Sequence, residues 1–129
     1  MTEIESTIEK TAKEPGGGLI VPTDSYTRGR GDRIAELALK HRLPALGAFA
    51  EFVDSKGLMF YGVSADDGLI EQFRYAAGYI DRILKGTKPG DLPVQNTNKF
   101  TLQINRKTAA VLGLDLPAKL LFTADRVVE

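Results

Sequence analysis

The stretch Gly16-Gly17-Gly18-Leu19-Ile20-Val21-Pro22-Thr23-Asp24-Ser25 constrains the fold more than any other part of the chain. Three glycines release a short apolar run, which stops abruptly in small polar residues before an amphipathic segment. A continuous apolar run bounded in this way reads as a strand of a parallel sheet, covered on both faces. Its polar C-terminal end is the place where open α/β sheets receive ligands. The same grammar recurs at Leu43-Pro44-Ala45-Leu46-Gly47-Ala48-Phe49 and at Gly57-Leu58-Met59-Phe60-Tyr61-Gly62. Three strand ends with polar or aromatic tips predict a site for a small molecule, and no tip carries an obvious catalytic group. The glycines precede a strand, whereas phosphate loops follow one and open a helix, so they predict a flexible turn instead.

Around these strands the pattern alternates between periods. Ile4, Ile8 and Ala12 share a face of a first helix near residues 2–14, with Thr2 and Glu5 spaced as a capping box. Ile34, Leu37, Ala38 and His41 fall on one helical face, with Arg33, Glu36 and Lys40 outside. A strand near 44–48 leads to a short helix around 49–56, and a third strand spans Leu58 to Gly62. The longest helix, over 66–86, carries a wide apolar stripe from Leu69 to Leu84, with Asp66 and Asp67 at its positive end and Gly86 closing it. Residues 87–98 read as loop, and Phe100 to Asn105 alternates strictly as a half-buried strand. Helices over 106–114 and 117–124 and a terminal strand at Val127-Val128 complete a parallel or mixed α/β layer with flanking helices.

With 17 basic and 17 acidic residues the net charge is zero, which removes the electrostatic footprint of a nucleic-acid binder. No Cys is present, so thiol catalysis and Cys-based zinc sites are excluded. A lone His, His41, without a nearby acid and Ser makes neither a triad nor a promising metal site; late in a helix it suits contact with the last carbonyls. Arg30-Gly31-Asp32 opens a predicted helix rather than presenting an adhesion tripeptide. Asp66 and Asp67 are explained by the helix dipole, without metal or acid–base chemistry. Neither a cofactor nor a catalytic group is expected. Phe49 and Tyr61 end the second and third strands, where an aromatic face stacks on an apolar ligand or joins the core.

Taken in order, several segments carry a resemblance: Leu19-Ile20-Val21-Pro22-Thr23-Asp24, His41-Arg42-Leu43-Pro44-Ala45, Glu51 through Gly62, Ile83-Leu84-Lys85-Gly86-Thr87-Lys88-Pro89 with Asp91-Leu92-Pro93-Val94, and Asn105 through Leu114 to Pro117. From about residue 14 onward the chain resembles the substrate-binding proteins of ABC transporters, the tryptophan- and tyrosine-type lipoproteins among them. Gly47 and Leu58 depart from the family pattern, which usually has an aromatic or small polar residue near the first position and a second Gly at the other.

The resemblance implies a type I periplasmic binding fold, two Rossmann-like lobes closing on a ligand, of which residues 1–129 match only the later part as a single partial domain. It implies a non-catalytic, amino-acid-like binding module, delivery to an ABC permease and a periplasmic location. The acidic start Met1-Thr2-Glu3-Ile4-Glu5 has no apolar export region, so the short chain as a natural product would stay cytoplasmic. By position, Thr23 and Asp24 carry over as contacts for the polar end of the ligand, with Ser25 beside them; capping of the next helix by Asp24 or Ser25 is the competing role. A missing partner surface would leave the 66–86 helix and the first strand's edge uncovered, so a homodimer or larger assembly is expected, a dimerising remnant without ligand being the alternative.

Overall fold

A computed structural model describes residues 2–63, 68–96 and 99–129, the side chain of Thr2 excepted. The Thr2–Glu5 capping pair and the Asp66-Asp67 pair therefore lie outside the described residues. Helix α1 (Thr2–Thr11) leads through the glycines to β1 (Leu19–Ile20), then α2 (Ser25–Arg28) and α3 (Gly31–Lys40). Strand β2 (Ala45–Gly47), α4 (Glu51–Asp54) and β3 (Met59–Gly62) follow. Helix α5 (Ile70–Leu84) and a single 3-10 turn at Pro89–Asp91 come next, then β4 (Thr101–Asn105), α6 (Arg106–Leu112), α7 (Ala118–Thr123) and β5 (Arg126–Val128).

The five strands form one sheet in the order β1-β2-β3-β4-β5. β1 pairs parallel with β2, β2 parallel with β3, and β4 parallel with β5, while β3 and β4 run antiparallel. The mixed α/β sheet with flanking helices expected from the alternating periods is thus present. The chain divides into two compact units: residues 1–62 with 101–129, which hold the whole sheet, and residues 63–100.

In the first unit, the apolar faces of α1 and α3 meet over the sheet. Ile8, Ile34, Leu37, Ala38, Leu43 and Phe52 belong to one buried cluster, with Ile4, Ala12 and Leu19 packed at its margin. His41 caps α3 through its backbone, and its Nε2 lies 3.8 Å from Glu9 Oε1 on α1 rather than on the terminal carbonyls. Two expectations change. Ile20 is 75% exposed, so β1 is not covered on both faces; it is a two-residue edge strand whose alternate residue turns outward.

β4 does not alternate either, because Gln103, Ile104 and Asn105 are all buried. The polar pair is buried with partners: Asn105 donates to Val53 O at 3.0 Å, and Gln103 Oε1 accepts from Arg126 at 3.0 Å. Asn105 also caps α6 by accepting from Thr108 N at 2.9 Å.

Phe52 shows why small residues stand at two turns. Its ring lies against Gly47 at the end of β2 and Gly57 ahead of β3, close enough that a Cβ at either glycine would meet ring carbons. Gly57→Ala is expected to lower stability by about 1–3 kcal/mol through overpacking, read as a shifted urea midpoint. Coupling is the check: with Phe52→Leu also present, the added methyl costs less than in the parent, and strictly additive losses would contradict the close approach.

The second unit is built on α5. None of its residues is buried, and Ile70, Phe73, Ile80 and Leu84 are exposed. Tyr79 donates its hydroxyl to Pro93 O, and Lys99 pairs with Glu71 at 3.3 Å, which hold the following segment to the helix.

Candidate ligand cavity at the strand ends

Parallel pairing brings the carboxyl ends of β1 and β2 to the same edge of the sheet. Beyond that edge lies a cavity of about 340 Å³, bounded by Val21 after β1, Ala48 and Phe49 after β2, the α2–α3 turn, and Phe52 and Ser55 of the α4 region. This volume falls within the range of small-molecule sites. Its floor is apolar, from Val21 and Phe52, and charged groups reach its rim from Arg28, Asp32 and Glu51.

Phe49 is the predicted residue that lines this cavity, partly buried, with the Arg28 guanidinium 4.6 Å above its ring centre. Thr23 and Asp24, on the turn between β1 and α2, and Ser25, the first residue of α2, are exposed and outside the lining. Asp24 adopts an extended backbone and caps α2, its Oδ1 accepting from Tyr26 N at 2.6 Å. The capping role weighed from the sequence is therefore present. Thr27 ties the same turn down, donating to Pro22 O at 2.9 Å and to Asp24 O at 3.0 Å. Tyr61 sits on β3, 56% exposed and opposite Leu102 of β4, and does not line the cavity.

The residues that sequence reasoning missed are Arg28, Asp32, Glu51 and Ser55. Their signal was weak: they are ordinary polar residues in or beside helices, and only the fold brings Arg28 and Asp32 from the α2–α3 region and Glu51 and Ser55 from the α4 region to the strand ends. A second cavity, of about 420 Å³, lies in the other unit among Glu71, Gln72, Tyr75 and Tyr79 and gathers none of the predicted residues. Among the described residues no group of three or more His, Asp or Glu side chains could hold a metal ion.

The chain belongs to the family of ABC transporter substrate binding proteins, whose model matches residues 1–128. This is a family of binding proteins for transport rather than of enzymes. Among solved structures, the chain is similar to a conserved domain protein of Vibrio cholerae, with a TM-score of 0.77 at 23% identity over 97% of this chain and 40% of the other. It is likewise similar to the ABC domain from Streptococcus pneumonia in complex with L-Trp, with a TM-score of 0.76 at 25% identity over 98% and 41%. A ligand-free, open substrate binding protein with adhesive properties from Clostridium difficile gives 0.62 at 20% identity, over 98% and 40%. The chain thus spans about 40% of the length of these structures. No curated protein matches it.

Asp24→Ala is expected to cost about 1 kcal/mol of stability by removing the α2 cap, while Asp24→Asn keeps an acceptor at the same place and costs little. Urea denaturation of the two variants distinguishes a cap from a dispensable surface charge.

Proposed function

We infer that this chain is a non-catalytic solute-binding module that supplies one wall of a cleft for an amino-acid-like ligand. The observation that carries the reading is the cavity at the carboxyl ends of β1 and β2, with Phe49 on its wall. In this reading the ligand's apolar side chain packs on the Phe49 ring in the cavity, and Tyr61, outside the lining, extends the wall along β3. Its ammonium group meets Thr23, Asp24 and Ser25, where Asp24 keeps Oδ2 for the ligand while Oδ1 caps α2. Closure of a second wall over the cleft would complete the site, and an ABC permease in the membrane would receive the solute from outside the cytoplasm. No helix among the described residues is long and apolar enough to cross a membrane.

A single wall binds weakly. L-tryptophan, L-tyrosine and L-leucine are expected to bind the chain with dissociation constants of about 1 mM, equivalent to about 4 kcal/mol. Protein-observed NMR titration reads this as saturable shifts at Phe49 and Tyr61. Phe49→Ala weakens binding about threefold to tenfold, the size of an aromatic pair. Absence of saturable shifts at these residues with all three probes sinks the binding reading; micromolar affinity sinks the one-wall part of it.

A second reading is favoured by α5. Ile70, Phe73, Ala77, Ile80 and Leu84 repeat at spacings of three and four, the seam of a two-stranded helix pair. In an antiparallel pair of two copies, Phe73 would face Leu84, Ala77 would face Ile80, and Arg74 would reach the copy's Asp81. This reading makes the chain a self-associating interaction module, with or without a solute. Light scattering after size exclusion is expected to give twice the monomer mass, lowered to one by Phe73→Glu with Ile80→Glu; a monomer at all concentrations removes it.

A further inference from the structure

The arginines of the sheet unit are mostly engaged. Arg30 stacks on Tyr26 at 3.9 Å and donates to Tyr26 O at 3.0 Å. Arg33 lies 3.7 Å from Glu5 and 3.6 Å from Glu36, Arg106 pairs with Glu129 at 3.1 Å, and Arg126 pairs with Asp54 at 2.6 Å. Arg28 differs. Its guanidinium lies over the Phe49 ring at 4.6 Å, and among the described residues it has neither an ion-pair carboxylate nor a side-chain hydrogen bond. It borders the strand-end cavity, although Asp32 and Glu51 border it too.

Stacking uses the face of a guanidinium and leaves its in-plane N–H donors at the edge. The ring also shields one side of the cation from water, which strengthens any hydrogen bond those donors make. A carboxylate is the group whose two oxygens match that fork. We propose that Arg28, held over the Phe49 ring, anchors the carboxylate of the ligand in the strand-end cavity, so that the solutes taken are carboxylates with an apolar body. This rests on the solute-binding reading and adds an orientation to it: carboxylate toward the α2–α3 turn, apolar body along Phe49. Asp32 and Glu51, which border the same cavity, add to Asp24 in favouring a ligand that also carries an ammonium group.

The chain contains no tryptophan, so the fluorescence anisotropy of an indole probe, excited at the red edge beyond tyrosine absorption, reports binding without protein background. Three probes separate the groups: L-tryptophan, indole-3-propionate, which lacks the ammonium, and tryptamine, which lacks the carboxylate. The expected result is that tryptamine binds about tenfold more weakly than L-tryptophan, the scale of one charged hydrogen-bonding contact. Arg28→Gln lowers the affinity for indole-3-propionate about tenfold and leaves tryptamine unchanged. Arg28→Lys, which keeps the charge but not the fork, recovers only part. Equal binding of indole-3-propionate by the parent and by Arg28→Gln overturns the proposal and leaves the solute-binding reading standing.

If none of the indole probes binds, the solute-binding reading fails, and a separate readout decides Arg28. Acetate titration followed at the arginine Nε–H resonances is expected to saturate Arg28 at lower concentration than Arg42, an exposed arginine of the same unit. Identical titration of the two overturns the assignment.

Discussion

The ring of Phe52 is the contact on which the strand-end architecture depends. It occupies the space between the last residue of β2 and the glycine before β3, so α4 can lie against the sheet only while Gly47 and Gly57 remain without side chains. Phe49 and Ser55 flank that ring three residues to either side, and both line the cavity that Phe52 floors. The backbone tightens around the same point, since Gly57 N donates to Phe52 O at 2.8 Å and Lys56 takes a positive φ of 71°. A packing constraint in the core therefore sets where the candidate ligand surface stands.

A second set of contacts carries this constraint to the far strands. Asn105 reaches from the end of β4 to Val53 O in α4, and Thr108 Oγ1 donates to Lys56 O at 3.0 Å. Both side chains are buried, and both satisfy carbonyls at the end of a four-residue helix that has few internal bonds of its own. A buried hydrogen bond adds about 1 kcal/mol, but an orphaned buried amide costs more than that, so these polar residues define position more than they add stability. Asn105 thereby links β4 to α4 directly, and Thr108 links α6 to the turn after α4, each across more than fifty residues of sequence.

Much of this was legible because periodicity is a local property. The three strand ends, the α1 and α3 faces and the terminal strand all followed from runs of a few residues. What was not legible depends on neighbours distant in the chain. Ile20 belongs to an apolar run that reads as doubly covered, yet its place at the sheet edge leaves it exposed. Gln103 and Asn105 read as the wet face of β4, yet partners from β5 and α4 bury them. Phe49 was visible as an aromatic strand tip, whereas Arg28 was one cation among scattered ones until the α2 turn stacked it on that ring. Asp24 had two competing roles in sequence, and the cap is the one formed within the chain itself.

The two units differ in how their apolar surface is used, and this bears on both functional readings. The sheet unit closes its own core, with Phe60, Val53 and Ile104 fully buried. Helix α5 has an apolar face as regular as that of α3, but α3 buries four residues and α5 buries none. Fifteen residues are marginal for a helix in water, and most helical stability in proteins comes from packing an amphipathic face. An uncovered seam from Ile70 to Leu84 is thus energetically incomplete, and any state in which α5 is stable must place an apolar surface on it. A second copy of the helix meets that requirement, by helix pairing that involves α5 alone.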